Sequence, residues 1–282
     1  MVISTLDFEE ARPQLLSVAY RIVGSAQDAE DAVQTAWLRA HTAQDRDVDN
    51  PTAWLTAVVS RVCLDQLRDR RRRRRLVETL AYPDEAAMAA DEDMRRREDV
   101  SRALLVLLDA LTPAQRVAYV LHDLFTVPFT DIAAILGTTP AAVKKHASRA
   151  RARIAPAAAP HRSPEEARHR EVVEEFLRAA RGGDMARMVA LLAPDCVRQA
   201  DPVLLPAGTA ATVRGAAAVA EETRLFVARI AVSTPLRVAG RIVDVIAPGG
   251  HPLAVIDMQT DGDAITAITI RPVRRADEVA RV

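Results

Sequence analysis

One stretch of the sequence, residues 111–154, limits the fold more than any other, because it predicts two short helices joined by a tight turn. The first helix is expected from Phe129 to Leu136, the turn at Gly137, and the second helix from Thr139-Pro140 onward. Glycine suits the left-handed position that ends a helix, threonine caps the next helix, and proline fits its first turn. Together these features predict a helix-turn-helix, whose second helix enters the major groove of DNA.

The second predicted helix becomes basic along its length. Val143 and Ala147 continue the apolar stripe of the first helix, so the basic side chains are expected to face solvent. A solvated, positively charged surface helix is the alternative, but the cap, the turn and the one-sided charge together favour DNA binding. The side chains expected to contact DNA are Thr139, Lys144, Lys145, His146, Arg149, Arg151 and Arg153.

Net charge does not indicate a nucleic-acid ligand, since 38 basic residues balance 38 acidic residues in a chain of 282. The distribution is more informative, because residues 70–75 are six consecutive arginines and the segment that follows is acidic. Cys63 and Cys196 lie far apart in apolar surroundings, without metal-ligand spacing. We therefore expect a reduced, cytoplasmic protein with no metal site and no cofactor. No stretch approaches the ~20 apolar residues of a membrane span.

Changes in composition divide the chain. Three helices are predicted before residue 75, and a four-helix unit is predicted to end with the helix-turn-helix. The segment between them lacks a steady period, and a second break is rich in alanine and proline. The predicted domains are residues 1–75, a linker at 76–97, residues 98–155, a linker at 156–162, and residues 163–282.

The last predicted domain mixes helices with strands. Ser163 caps a helix that Gly182-Gly183 ends, and a short helix follows. After a strand and a further helix at residues 215–230, β-branched alternation predicts a meander. Its hairpin turns are expected at residues 248–250 and 261–263. The fold class predicted for this region is α+β.

The third helix of the first domain presents two faces. Its buried stripe is expected to contain Trp54, Leu55, Val58, Val62 and Leu67. The outward face is expected to carry Ser60, Arg61, Gln66, Arg68 and the arginine run.

Three segments now point to a family. DAEDAVQTAWLRA, NPTAWLTAVVSRVCLDQLRDRRR and LTPAQR…VPFTDIAAILGTTPAAVKKHASRARARI resemble, in order and separation, regions 2 and 4 of extracytoplasmic-function (ECF) bacterial sigma factors. The C-terminal part, beginning VVEEFLRAARGGDMARMVALLAPDCV, resembles SnoaL-like domains. The resemblance implies a multidomain protein with two all-α sigma domains, the region 2 bundle and the region 4 helix-turn-helix, followed by an α+β SnoaL-like cone.

The resemblance also implies partners. Bacterial core RNA polymerase and promoter DNA are expected, together with a small ligand or an intramolecular contact at the C-terminal domain, and no membrane. Region 4 would read the −35 element through the basic helix described above. Core polymerase would be bound by Asp28, Glu30, Asp31, Gln34 and Trp37, unless the acids only complement their own helix dipole. The −10 element would be contacted by Asp49, Asn50, Ser60, Arg61, Gln66, Arg68, Arg70, Arg71 and Arg72.

The C-terminal domain admits two functions. SnoaL-like folds house enzymes that use an aspartate as general base, and the sequence offers Asp195, Asp201, Asp244 and Asp257. Strand alternation allows Asp244 and Asp257 to face out equally well, and no Asp-His pair has telling spacing. We therefore expect no catalytic residues and no enzyme, but a domain that modulates sigma activity in cis. The alternative for the whole chain is a ligand-sensing helix-turn-helix regulator that is not a sigma subunit.

Overall fold

A computed structural model describes residues 3–42, 50–76, 85–155, 163–274, 277 and 279–280 of the chain. It forms two compact units. Unit 1 comprises Met1–Ala155 with Gly249–His251, and unit 2 comprises Pro156–Pro248 with Pro252–Val282. The predicted linker at 156–162 lies outside the described residues.

Unit 1 begins with the three predicted helices, α1 (Thr5–Val23), α2 (Ala26–Thr42) and α3 (Pro51–Leu76). Local signals set their ends. Ser4 and Asp7 form a reciprocal capping box at α1, which ends at Gly24 in the left-handed conformation (φ +75°). The Asn50 side chain accepts a hydrogen bond from the Ala53 amide at 3.0 Å and so caps α3.

A fourth helix, α4 (Glu85–Arg97), occupies part of the segment that was predicted as an aperiodic linker. That prediction is wrong for these residues, whereas residues 77–84 lie outside the described part of the chain. The helix is stabilised by contacts with distant parts of the chain. Tyr20 and Ala26 donate hydrogen bonds to Asp91, and Arg102 donates one to Glu92. Periodicity within the segment could not reveal such partners.

The rest of unit 1 contains α5 (Arg102–Asp109), α6 (Pro113–Tyr119), a π-helical turn (Val120–Leu124), α7 (Phe129–Leu136) and α8 (Pro140–Ile154). The four predicted helices are confirmed. Their shared core consists of apolar side chains that are almost fully removed from solvent: Leu105, Leu108, Val117, Leu121, Ile132, Val143 and Ala147. This core fixes the angle at which α8 leaves the turn.

Unit 2 is an α+β structure, as predicted. Its helices are α9 (Pro164–Gly182), α10 (Met185–Leu191), α11 (Ala216–Thr223) and α12 (Val227–Ala231). Its strands are β1 (Leu192–Ala200), β2 (Thr212–Arg214), β3 (Ser233–Val238), β4 (Arg241–Ile246), β5 (Ala254–Asp261), β6 (Ala264–Pro272) and β7 (Val279–Ala280).

The seven strands form one sheet in the order β2-β1-β6-β5-β4-β3-β7. Strands β3 to β6 are the predicted meander, and β1 joins it in parallel beside β6. The short strands β2 and β7 were not predicted. The helix expected at residues 215–230 is interrupted by a 3₁₀ turn at Arg224–Phe226, which separates α11 from α12.

None of the helices in the described part of the chain is long and apolar enough to cross a membrane.

Candidate nucleic-acid interface

The helix-turn-helix has the geometry that the sequence predicts. Gly137 ends α7 in the left-handed conformation, with φ +66° and ψ +44°. The Thr139 hydroxyl accepts a hydrogen bond from the Ala142 amide at 3.2 Å, and Pro140 occupies the first turn of α8. Because Val143 and Ala147 are fully buried against the unit 1 core, the opposite side of α8 is held toward solvent.

That solvent side carries the predicted cations. Lys144, Lys145, Arg149 and Arg153 are exposed, and His146 is half-buried. Arg151 is also exposed, but its guanidinium lies 3.2 Å from an Asp123 carboxylate oxygen in the π-helical turn. The face is therefore suited to phosphate and base-edge contacts, with one of its arginines already paired to a carboxylate.

The aromatic ring of Phe129, which sequence reasoning missed, contacts one of these cations. The Phe129 ring lies 5.7 Å from the Lys144 ammonium and stacks on His122 with centroids 3.7 Å apart. The attraction between the ammonium and the ring limits where Lys144 can point. Phe129 was identified only as the start of a helix, because its ring contacts come from neighbouring elements.

Helix α3 confirms part of the predicted outward face and corrects the rest. Arg61 and Arg68 are exposed as expected. Ser60 was predicted to face DNA, but it is fully buried and its hydroxyl has no hydrogen-bond partner among the described residues. Gln66 is half-buried and its side-chain oxygen is enclosed. The outward prediction is wrong for Ser60 because α3 contacts α1 and α2 as well as α6 and α7, and so buries more than one stripe.

The arginine run divides in the same way. Arg71 and Arg72 are exposed and, with Arg68, line an open cleft of about 490 Å³ beside Thr112–Ala114. Arg70 instead turns inward, pairs with Asp28, and donates a 2.8 Å hydrogen bond to the Val23 carbonyl. The predictions placed Arg70 on DNA and Asp28 on polymerase, whereas the structure pairs the two side chains with each other.

Two of the residues that were predicted to contact the −10 element lie at the start of α3 or just before it. Asn50 is exposed at the start of α3. Asp49, which was predicted to contact the −10 element with it, lies outside the described residues.

The predicted polymerase-binding side chains lie on α2. Asp31 and Gln34 are exposed, and Glu30 pairs with Arg12 at 2.9 Å in an exposed ion pair. Trp37 is half-buried, and its ring centroid lies 4.6 Å from that of Phe8.

Two leucines on α1 and α2 are exposed, a feature that sequence reasoning missed. Leu38 on α2 is 59% exposed, and Leu6 on α1 is 68% exposed. An aromatic side chain such as Trp37, next to an exposed apolar residue such as Leu38 and polar side chains on the same helix, is typical of a protein-binding surface.

The aspartates of unit 2 differ in their surroundings. Asp195 and Asp201 are exposed, and Asp257 pairs with Arg241 at 2.8 Å. Asp244 on β4 is only 4% exposed, and burial raises its pKa to about 6.

A cleft of about 540 Å³ in unit 2 is lined by Val189, Leu192, Pro194 and residues 214–218, and Asp244 is not among its lining residues. Within the described residues, no group of three metal-ligating side chains converges.

Known protein families match two separate parts of the chain. A model of Sigma-70 region 2 matches residues 8–73, and a model of Sigma-70, region 4 matches residues 101–154. The chain is 42% identical over 194 residues to the ECF RNA polymerase sigma factor SigJ of Mycobacterium tuberculosis, covering 67% of this chain and 62% of SigJ. It is 35% identical over 195 residues to the probable ECF RNA polymerase sigma factor SigI of the same species, covering 67% of each chain.

The crystal structure of Mycobacterium tuberculosis SigJ matches at 32% identity over 96% of both chains, with a TM-score of 0.47. By sequence, the match spans less than two thirds of SigJ.

Proposed function

The chain belongs to the extracytoplasmic-function RNA polymerase sigma factors, and from that premise we propose that it binds core RNA polymerase and directs promoter-specific initiation of transcription. The proposal rests on one observation. The chain combines a capped helix-turn-helix with a preceding three-helix bundle whose last helix carries exposed arginines. A repressor needs only the first element to hold an operator, whereas a sigma factor must also open and hold the −10 element.

In this proposal, α8 binds the −35 element in the major groove. Lys144, Lys145 and Arg149 are assigned to base edges or adjacent phosphates, because they are exposed near the middle of the helix. Arg153 is assigned to phosphate alone. Phosphate contacts give affinity that falls with salt, while base-edge contacts give sequence preference.

Helix α3 and the loop before it would hold the −10 element. The exposed members of the predicted set are Asn50, Arg61, Arg68, Arg71 and Arg72, and Asp49 is retained from the sequence. Ser60 is not assigned to DNA, because its side chain is buried. On α2, Asp31, Gln34 and Trp37 are assigned to core polymerase, and the exposed Leu38 is added.

Unit 2 is proposed to modulate transcription in cis rather than to catalyse a reaction. Its buried Asp244 does not line the cleft beside residues 214–218, and so could not act there as a general base, which must reach its substrate. Removing residues 163–282 should therefore change promoter binding or transcription. An unchanged profile would refute the regulatory role.

Reconstituted transcription tests the sigma assignment. The full chain would be combined with bacterial core RNA polymerase on its own upstream DNA and on a random promoter pool. Specific initiation is expected from the wild type. Arg149→Ala should lower initiation about 5- to 150-fold, the range that corresponds to losing one good base contact. Arg178→Ala, a matched exposed arginine on α9, should leave initiation unchanged.

If the chain neither binds core polymerase nor initiates transcription, yet binds DNA through α8, it is the ligand-sensing regulator instead.

A further inference from the structure

The cations of α8 lie on two different parts of its surface. Successive helix residues are about 100° apart, so Lys144 and Arg151, which are two turns apart, lie on the same flank. Lys145 and Arg149 lie on the side of α8 that faces away from the buried Val143. All four cationic side chains are exposed. The flank and the outer side of the helix therefore present separate pairs of cations.

A π-helical turn precedes α7, and we call residues 120–129 the π-turn segment. The Val127 amide donates a hydrogen bond to the Leu121 carbonyl at 2.9 Å, and the Thr126 amide donates one to the His122 carbonyl at 3.1 Å. Thr126 adopts a positive φ of +57°, which is strained for a β-branched residue. Short π-helical turns and strained residues occur often at functional sites.

The π-turn segment restrains Lys144 through an aromatic ring. The Lys144 ammonium lies 5.7 Å from the centre of the Phe129 ring. That ring stacks on His122, whose Nδ1 lies 3.1 Å from the Val127 main-chain oxygen, so the ring is itself fixed. An aromatic ring attracts an ammonium group but carries no net charge. Lys144 is therefore restrained while its charge remains available to a phosphate.

The same segment holds Arg151 in a different way. The Arg151 guanidinium lies 3.2 Å from an Asp123 carboxylate oxygen, and this carboxylate offsets its positive charge. The two cations on one flank of α8 thus differ in how available they are to DNA. Side chains of the π-turn segment, and not of α8 itself, set that difference.

The width of the major groove separates the roles of the two surfaces. The groove is about 12 Å wide, and an α-helix with its side chains is about 10–12 Å across. The outer side of a helix in the groove therefore faces base edges, and its flanks face the sugar-phosphate walls. If α8 lies in the groove as proposed, Lys145 and Arg149 face bases and Lys144 faces a phosphate.

We propose that the π-turn segment positions Lys144 for a phosphate beside the −35 element, while Lys145 and Arg149 read its base edges. Phe129 is then a positioning residue that acts on DNA through Lys144. The inference rests on the proposed function, and it divides a set of cations that the proposed function assigns jointly to bases and phosphates. Because the lysine side chain is already restrained, it loses less conformational entropy when it binds.

Binding of the holoenzyme to DNA tests the positioning role. The full chain would be assembled with bacterial core RNA polymerase, and its affinity for a fluorescein-labelled duplex of its own upstream DNA would be measured over a range of salt. Phe129→Leu should weaken binding about 2- to 10-fold, the cost of immobilising one long side chain. The slope of log affinity against log salt should not change, because the ring carries no charge. Phe129→Tyr keeps the ring and should retain wild-type affinity.

The Lys144→Ala variant separates positioning from a structural role. It should weaken binding and reduce the salt slope by about 0.9, because one phosphate contact is lost. In the Lys144→Ala background, Phe129→Leu should have no further effect on affinity. A ring that only stabilised the fold would lower affinity in both backgrounds. If Phe129→Leu does not fold, His122→Leu, which removes the group that fixes the ring, should act in the same direction.

Selection from a promoter pool with a randomised −35 element tests the division between bases and phosphate. Lys145→Ala and Arg149→Ala should relax the base preference, whereas Lys144→Ala should leave it unchanged. Phe226→Leu is the matched control, because it removes a similar contact in unit 2, where the Arg229 guanidinium lies 5.2 Å from the Phe226 ring centre. This control should change neither the salt slope nor the base preference.

The outcomes separate this inference from the proposed function. If loss of the Phe129 ring leaves affinity unchanged or tightens binding, or if its effect persists without Lys144, the positioning role is refuted while sigma activity stands. A base preference that is relaxed by Lys144→Ala would equally overturn the division of roles. If the wild-type holoenzyme neither binds its upstream DNA nor selects a sequence from the pool, the proposed function itself fails.

Discussion

Replacing Asp244 with asparagine should change how the stability of unit 2 depends on pH. The carboxyl lies on β4 opposite Pro235 of β3 and Ile256 of β5, and is only 4% exposed. Burial raises its pKa from 3.8 to about 6, although Arg170 and Arg181 act in the opposite direction. Ionised Asp244 is therefore a cost to folding at neutral pH, and asparagine cannot ionise.

The magnitude follows from linkage between folding and protonation. Because the folded pKa lies above the unfolded value, folded Asp244 binds more protons than unfolded Asp244 between about pH 4 and pH 6. Wild-type stability therefore falls as pH rises through this window, by up to about 3 kcal/mol in total. The stability of the asparagine variant relative to wild type should increase by about 2 kcal/mol from pH 4.5 to pH 7.5. The constant cost of burying the amide cancels in this difference.

The assay must report unit 2 alone, and the cysteines allow this. Both tryptophans, Trp37 and Trp54, lie in unit 1, so their fluorescence does not follow unit 2. Cys196 is buried in β1 of unit 2, and Cys63 is buried in α3 of unit 1. Burial raises the pKa of Cys196 to about 11 and that of Cys63 to about 12, so neither thiol reacts while folded.

Pulsed thiol labelling along a urea gradient, followed by mass analysis of the two peptides, gives one unfolding curve per unit. The Cys196 curve should shift between wild type and Asp244→Asn, by more at pH 7.5 than at pH 4.5. The Cys63 curve serves as an internal control and should not shift. If the shift of the Cys196 curve between wild type and variant is the same at both pH values, the conclusion that ionised Asp244 destabilises folded unit 2 is refuted.

Three further predictions concern charge and conformation. Glu222→Gln should destabilise unit 2 by about 3–5 kcal/mol, because it leaves the buried Arg198 guanidinium without its bidentate partner, and the Cys196 labelling assay measures this. Asp123→Asn should release Arg151 and steepen the dependence of log affinity for DNA on log salt by about 0.9, measured by fluorescence anisotropy; an unchanged slope would mean that Arg151 does not reach phosphate. Gly137→Ala should lower unit 1 stability by about 1 kcal/mol in tryptophan-monitored urea unfolding, because its φ of +66° is strained for alanine although no atom lies within 4 Å.

Local signals allowed the sequence to predict much of unit 1. The bounds of α7, the left-handed Gly137 and the Thr139 cap depend on residues within one turn of each other, so a short window contains all the required information. The exposed cations of α8 follow from the buried positions of the same helix. The same reasoning failed for Ser60, because one apolar stripe does not reveal that a helix is covered on a second side.

The features that could not be predicted depend on partners far along the chain. Helix α4 owes its contacts to α1, α2 and α5, and the pairing of Asp28 with Arg70 joins residues on separate helices. The parallel pairing of β1 with β6 has no local sequence signal. The burial of Asp244 was equally hidden, because strand alternation fits either face.

The same long-range pairing explains how a chain with no net charge can present a cationic surface. In unit 1, carboxylates hold Arg70, Arg102 and Arg151 within the molecule. Lys144 and Lys145 have no carboxylate partner among the residues that the structure describes. If the chain binds DNA as proposed, a paired cation must exchange its carboxylate for a phosphate, whereas an unpaired cation gains a new contact. Only the unpaired cations then release counterions without first breaking an ion pair. A count of basic residues would thus overestimate the affinity for DNA, and the pairing of each cation decides its contribution.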